Sequence, residues 1–95
     1  MATLRIEHAI ADFDQWHAAF ERFGAMRTRA GVRAQRIHQP VGDSHYIFID
    51  LDFDAVEQAR DFLTFLKTKV WTSAENAPAL VGTPRTTILR PATAG

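Results

Sequence analysis

The sequence predicts one α+β domain with the element order β-α-β-β-α-β. Three observations carry that expectation. Residues 3–10 alternate apolar and polar side chains, and residues 45–52 are dense in β-branched and aromatic ones, as strands are. Two longer stretches repeat apolar residues at helical period, each opened by an Asp-x-x-Gln or Asp-x-x-Glu pattern. The chain has 95 residues, 46% of them hydrophobic and 23% charged, which suits a single folded domain over 1–95.

In the first strand Leu4, Ile6, His8 and Ile10 share one face, and Thr3, Arg5 and Glu7 the other. Asp12 then opens a helix, with Gln15 placed to complete a capping box. Phe13, Trp16, His17, Phe20 and Phe23 follow on one stripe. That helix should fray between Gly24 and Gly31, where Arg27 and Arg29 suit its negative end. Residues 32–39 read as the second strand and 45–52 as the third, joined by a turn at Pro40-Val41-Gly42-Asp43. Asp54 opens the second helix, which runs to about Trp71 and carries Val56, Ala59, Phe62, Leu63, Leu66 and Val70 on one stripe. Residues 72–84 are a long connection, 86–90 the last strand, and 92–95 are expected to be disordered.

Right-handed crossovers in both β-α-β halves place the two helices on the same face of a four-stranded antiparallel sheet. This is the ferredoxin-like arrangement. It leaves the other face of the sheet with nothing in the chain to cover it. Pairing Gln39 with Ser44 puts Val32, Ala34, Arg36, His38, His45, Ile47, Ile49 and Leu51 toward the helices. The same pairing leaves Ile37, Tyr46 and Phe48 on the open face, with Arg33 opposite Asp50. An apolar patch of this kind predicts a homodimer in which two sheets meet face to face.

Composition removes several functions. Lys plus Arg is 11 and Asp plus Glu is 11, so the net charge is zero and no nucleic-acid partner is expected. With no cysteine, disulfides, thiolate nucleophiles and Cys-based metal centres are excluded. No apolar run nears the ~18 residues of a membrane span, and no signal-peptide pattern opens the chain, so a cytoplasmic protein without membrane partners is expected.

The β-α-β-β-α-β order, the aromatic first helix and the Phe62-Leu63-x-Phe65-Leu66…Val70-Trp71 second helix resemble the dimeric α+β-barrel superfamily. The antibiotic-biosynthesis-monooxygenase-like branch is the one meant, and the resemblance spans residues 3–90. It implies a dimeric α+β barrel whose ligand lies between sheet and helices. It further implies oxygen chemistry without a cofactor, on a small apolar or aromatic substrate, with an Asn, a Trp and an Arg around the pocket. Trp71 matches the Trp and Arg90 the Arg. No Asn lies on the first or second strand, and Asn76 falls in the connection. Haem-degrading members carry a His on the second helix, which residues 54–71 lack.

Within that frame His8 and His17 are a pair of pocket bases, or else two core histidines satisfied by backbone. Trp16, Phe20, Phe62 and Leu66 are candidate ligand contacts, or simply core. Arg36 holds a carboxylate or enolate, or else snorkels past the sheet edge. His38 and His45 face each other across the turn, but two imidazoles do not make a metal site, and none is assigned. The competing function is a non-catalytic ligand-binding or accessory module, such as a stress-related protein. A void of ~300 Å³ or more reached by His8 or His17 would favour the enzyme.

Overall fold

The computed structural model describes residues 1–92; most of the stretch expected to be disordered therefore lies outside the described residues. The elements are β1 (Ala2–Ile10), α1 (Phe13–Arg22), α2 (Gly24–Arg29), β2 (Ala34–His38), β3 (Tyr46–Phe53), α3 (Val56–Phe65), a π-helical turn (Leu66–Val70) and β4 (Leu80–Leu89). The sheet order is β2-β3-β1-β4 and every pairing is antiparallel, the ferredoxin-like fold.

Leu4, Ile6, Ile10, Ile47, Ile49, Leu51 and Phe53 form the inner face of the central strands, where Trp16, Ala59 and Phe62 of the helices cover them. Asp12 caps α1 as its sequence pattern predicts, its Oδ2 accepting from the Gln15 N–H at 2.8 Å. Asp54 does not cap α3. Ala55 takes the cap position, where Gln58 Oε1 accepts from its backbone N–H at 3.1 Å. Asp54 is drawn instead to Arg33, whose Nη2 lies 2.7 Å from its Oδ2. The first helix does not fray after Gly24 but resumes as α2 through Arg29.

Two strands differ from expectation. β2 pairs Ile37 with Ile49 and Arg36 with Asp50, a shift that exchanges its two faces. Ile37 therefore packs toward the helices, while Arg36 joins the open face. The ion pairs give the physical reason. Arg5 of β1 holds Asp50 through two hydrogen bonds, of 2.9 and 3.0 Å, and Arg36 holds Asp52 through two, of 2.8 and 2.9 Å. Thr3 Oγ1 also donates to Asp52 at 2.7 Å. Both carboxylates are almost covered, Asp50 at 8% and Asp52 at 6% exposure, and the observed register gives each its own guanidinium. The open face thus carries a polar ladder across β1, β3 and β2, beside Tyr46 and Phe48 in edge contact at 5.3 Å.

β4 begins at Leu80, well before residue 86. Its pairing with β1 shifts between Glu7 and Ala9, which lie opposite Arg85 and Val81. Gly82, at φ +73°, and Pro84 sit inside that irregularity, so the strand contains residues that read as loop. The connection after the π-turn shrinks accordingly. No helix among the described residues is long and apolar enough to cross a membrane.

The guanidinium hydrogen bonds hold both ladder carboxyls below their ordinary values, with burial opposing. Their contribution is therefore complete above the unfolded carboxylate range near ~3.9 and is lost as pH falls through the lower folded values. Equilibrium urea unfolding at a series of pH values should show a falling midpoint below about pH 4. Asp52→Asn should flatten that acid limb; an unchanged limb would mean that the ladder contributes nothing.

Candidate functional site

α1 and α2 arch over the inner face of the sheet, and the gap beneath them is a cavity of about 80 Å³. Ile6, Ile49 and Leu51 form its floor, Trp16, Phe20, Phe23 and Met26 one wall, and Phe62, Leu66, Val70 and Trp71 the other. Residues 76–80 close the rim. The lining is mostly apolar, with three polar side chains among its residues: His8, Arg27 and Asn76. Among the described residues no group of three or more His, Asp or Glu side chains is gathered as a metal would require.

Each wall has a local cause. Trp16 and Phe20 are one helical turn apart and stack with centroids 4.9 Å apart. At the π-turn the Trp71 N–H bonds back to Leu66 O at 2.8 Å. That extra residue per turn brings Trp71 to the side already occupied by Leu66 and Val70. Asn76 is held by its side chain, Nδ2 donating to Lys69 O at 2.9 Å.

His8 is 5% exposed, with Nδ1 placed 2.8 Å from Ala9 O. A carbonyl only accepts, so Nδ1 carries the proton and Nε2 is left as the basic nitrogen. Burial pulls the imidazolium below its ordinary pKa, partly offset by the bond to Ala9. His8 is therefore neutral at pH 7.

Arg27 is the polar group that the sequence reading missed as a site residue. It is 6% exposed, its Nε donates to Gln35 Oε1 at 3.1 Å, and its Nη1 donates to Phe20 O. The guanidinium carbon lies 3.5 Å over the Phe20 ring centroid, which extends the Trp16–Phe20 stack by a cation. Burial draws its pKa down, partly offset by the charge of Glu21. A signal for it was present. Trp16, Phe20, Phe23 and Arg27 continue a single helical stripe at spacings of four, three and four.

Of the expected site residues, the cavity gathers His8, Trp16, Phe20, Phe62, Leu66 and Trp71. It does not gather three others. His17 lies a step around α1 from the buried stripe, about half exposed, stacked on Phe13 and 3.2 Å from Glu21. Arg36 is on the opposite face of the sheet because of the β2 register. Arg90 follows Leu89, which pairs with Thr3, at the end of the sheet away from His8. Nor do His38 and His45 meet as strand partners, since His38 is opposite Phe48. At about 80 Å³ the cavity is also smaller than the ~300 Å³ that would favour the enzyme.

No family model matches the chain, and no curated protein matches it in sequence. Solved structures do share its fold. A candidate antibiotic biosynthesis monooxygenase from Bordetella bronchiseptica superposes with a TM-score of 0.72 at 10% identity, covering 97% of this chain and 98% of that one. A Streptomyces coelicolor monooxygenase in complex with nanaomycin D gives 0.66 at 14% identity, covering 98% and 88%. A dimeric ferredoxin-like protein from an uncultured marine organism gives 0.61 at 10% identity, covering 100% and 98%. The chain therefore has the ferredoxin-like fold that these solved structures share. At such identities the likeness defines the fold alone.

The lowered His8 pKa means that the unfolded chain takes up this proton first. Stability should be fully present above about pH 6.5 and should decline as pH falls toward the folded value. In an NMR titration, the His8 imidazole should change protonation below pH 6.5 and show Nδ1 protonated in its neutral form. A His8 resonance still charged at pH 7 would contradict this environment.

Proposed function

We propose that the protein binds a small planar aromatic substrate between sheet and helices and oxygenates it without a resident cofactor. One observation carries the reading: a cavity lined by five aromatic side chains, both tryptophans of the chain among them, also holds a buried histidine. The nanaomycin complex of the Streptomyces monooxygenase, which shares this fold, supports it.

The roles follow from position. His8 Nε2 takes a proton from a phenolic or enolic substrate, and burial keeps that base free of a proton at neutral pH. Trp71 on the wall and Asn76 on the rim offer an indole N–H and an amide that can orient the resulting anion. The electron-rich anion then reduces dioxygen itself. A ring methylene becomes a carbonyl, one oxygen atom stays on carbon, and the other leaves as water with the two methylene hydrogens. An engineered cavity of about 150 Å³ is known to admit benzene, so substrate entry here displaces the 76–80 rim.

The small cavity favours a second reading, a non-catalytic ligand-binding or accessory module that never opens far enough for turnover. Oxygen uptake separates the two. With a hydroxyanthrone as probe, the wild-type protein should consume oxygen, and His8→Ala should lower the rate by about a hundredfold, the scale of general-base catalysis. Bound probe without oxygen uptake would favour the accessory module.

The same proposal includes a homodimer. Nothing else among the described residues packs on the sheet face that carries Tyr46, Phe48 and the ladder. Tyr46 is tied there by its hydroxyl, which donates to Glu7 Oε1 at 2.9 Å. Two such faces, related by a two-fold axis, can set each ladder against its copy and cover the aromatic pair. Light scattering at micromolar concentration should give twice the chain mass, and a clean monomer would refute the pairing.

A further inference from the structure

The cavity contains a charge that the fold leaves without a counter-charge. Arg27 is 6% exposed and lines the cavity, yet no carboxylate among the described residues forms an ion pair with it. Its hydrogen bonds go to two neutral oxygens, Gln35 Oε1 and Phe20 O. Phe20 O belongs to the last turn of α1, so the helix end offers partial negative charge, but not a full one. Glu21 is the acid near enough to influence it, and that side chain is well exposed and paired with His17. Nη2 has no hydrogen bond among the described residues.

A cation in this position costs solvation that neutral acceptors return only in part. The guanidinium is nevertheless held rigidly, clamped by Gln35 and flat over Phe20, which is itself stacked on Trp16. Two consequences follow. An anion from outside the chain would meet a cation already in position, and a flat one would lie against the aromatic walls.

We propose that Arg27 is the anion-binding residue of the cavity and that the ligand is an aromatic acid, its carboxylate on the Arg27 guanidinium and its ring among Trp16, Phe20 and Trp71. This rests on the cavity being the ligand site, and it names the substrate class for that site. A carboxylate accepts two parallel N–H bonds from a guanidinium, which a neutral amide of the same shape cannot do. His8 is the other ionisable group lining the cavity and is neutral above its lowered pKa, so at pH 8 Arg27 is the one cation among the lining residues.

Both tryptophans of the chain line the cavity, so their fluorescence reports its occupancy directly. The test is titration of the full chain at pH 8 with salicylate and, separately, with its isosteric neutral amide, salicylamide. The expected result is tighter binding of the acid by roughly tenfold or more, the scale of a charge-assisted pair. Arg27→Gln should bind acid and amide alike, whereas Arg27→Lys should keep part of the preference. Melting temperatures show whether each variant folds, and the acid-to-amide comparison on the wild-type chain needs no variant at all. Equal affinity for the two probes would overturn the anion-binding role while leaving an aromatic site in place. Quenching by neither probe would overturn the cavity as a ligand site and this inference with it. An acid preference that survives Arg27→Gln in a folded protein would assign the anion to another group and sink the proposal.

Discussion

Asp50 and Asp52 are the constraint around which this molecule is arranged. Both lie on the open side of β3 and both are nearly covered, so each needs a cation in a fixed place. Arg5 reaches Asp50 from β1, and Arg36 reaches Asp52 from β2. Satisfying both at once sets the register of β2 on β3. A one-residue slip would exchange the faces of β2 and strand a charge. Either pair alone, with its arginine about half exposed, would contribute modestly; their joint value lies in selecting one register among several.

The consequence appears on the far side of the sheet. Once Arg36 faces outward, its neighbours Gln35 and Ile37 must face the helices. Ile37 packs against the core, and Gln35 supplies the oxygen that holds Arg27 Nε. The outer ladder and the inner cavity are thus coupled through alternate residues of one short edge strand. Because that strand has only five residues and its side chains are mostly exposed, the polar pairs on its two faces do more to place it than burial does.

The cavity follows from a mismatch between helices and sheet. Two helices cannot fill a twisted four-stranded sheet evenly, and here the bend between α1 and α2 and the π-turn after α3 frame the gap. Large aromatic side chains take most of the space but meet as rings at 5 to 6 Å, not as interdigitated aliphatic chains. His8 and Arg27 are the two buried polar side chains on the lining, and each is held by a backbone carbonyl. Groups fixed in this way are positioned before any ligand arrives.

The amino-acid sequence by itself determined the element order, the helix faces, the capping of α1 by Asp12 and the inward side of β1, including His8. Those features depend on periodicity and on contacts a few residues apart, which one chain displays directly. It also identified the aromatic lining, because Trp16, Phe20, Phe62, Leu66 and Trp71 lie on helical stripes. The register of β2, the extent of β4 and the places of Arg27 and Asn76 in the cavity lining were decided only by tertiary structure. β2 has no strong apolar alternation to fix its faces, so distant carboxylates choose for it. β4 runs through Gly82 and Pro84, which local reading takes for a loop, because pairing with β1 tolerates a bulge there. Arg27 reads as a helix-end charge until the sheet lies beneath it: a side chain's burial is a property of what packs over it, and that information is spread across the whole chain.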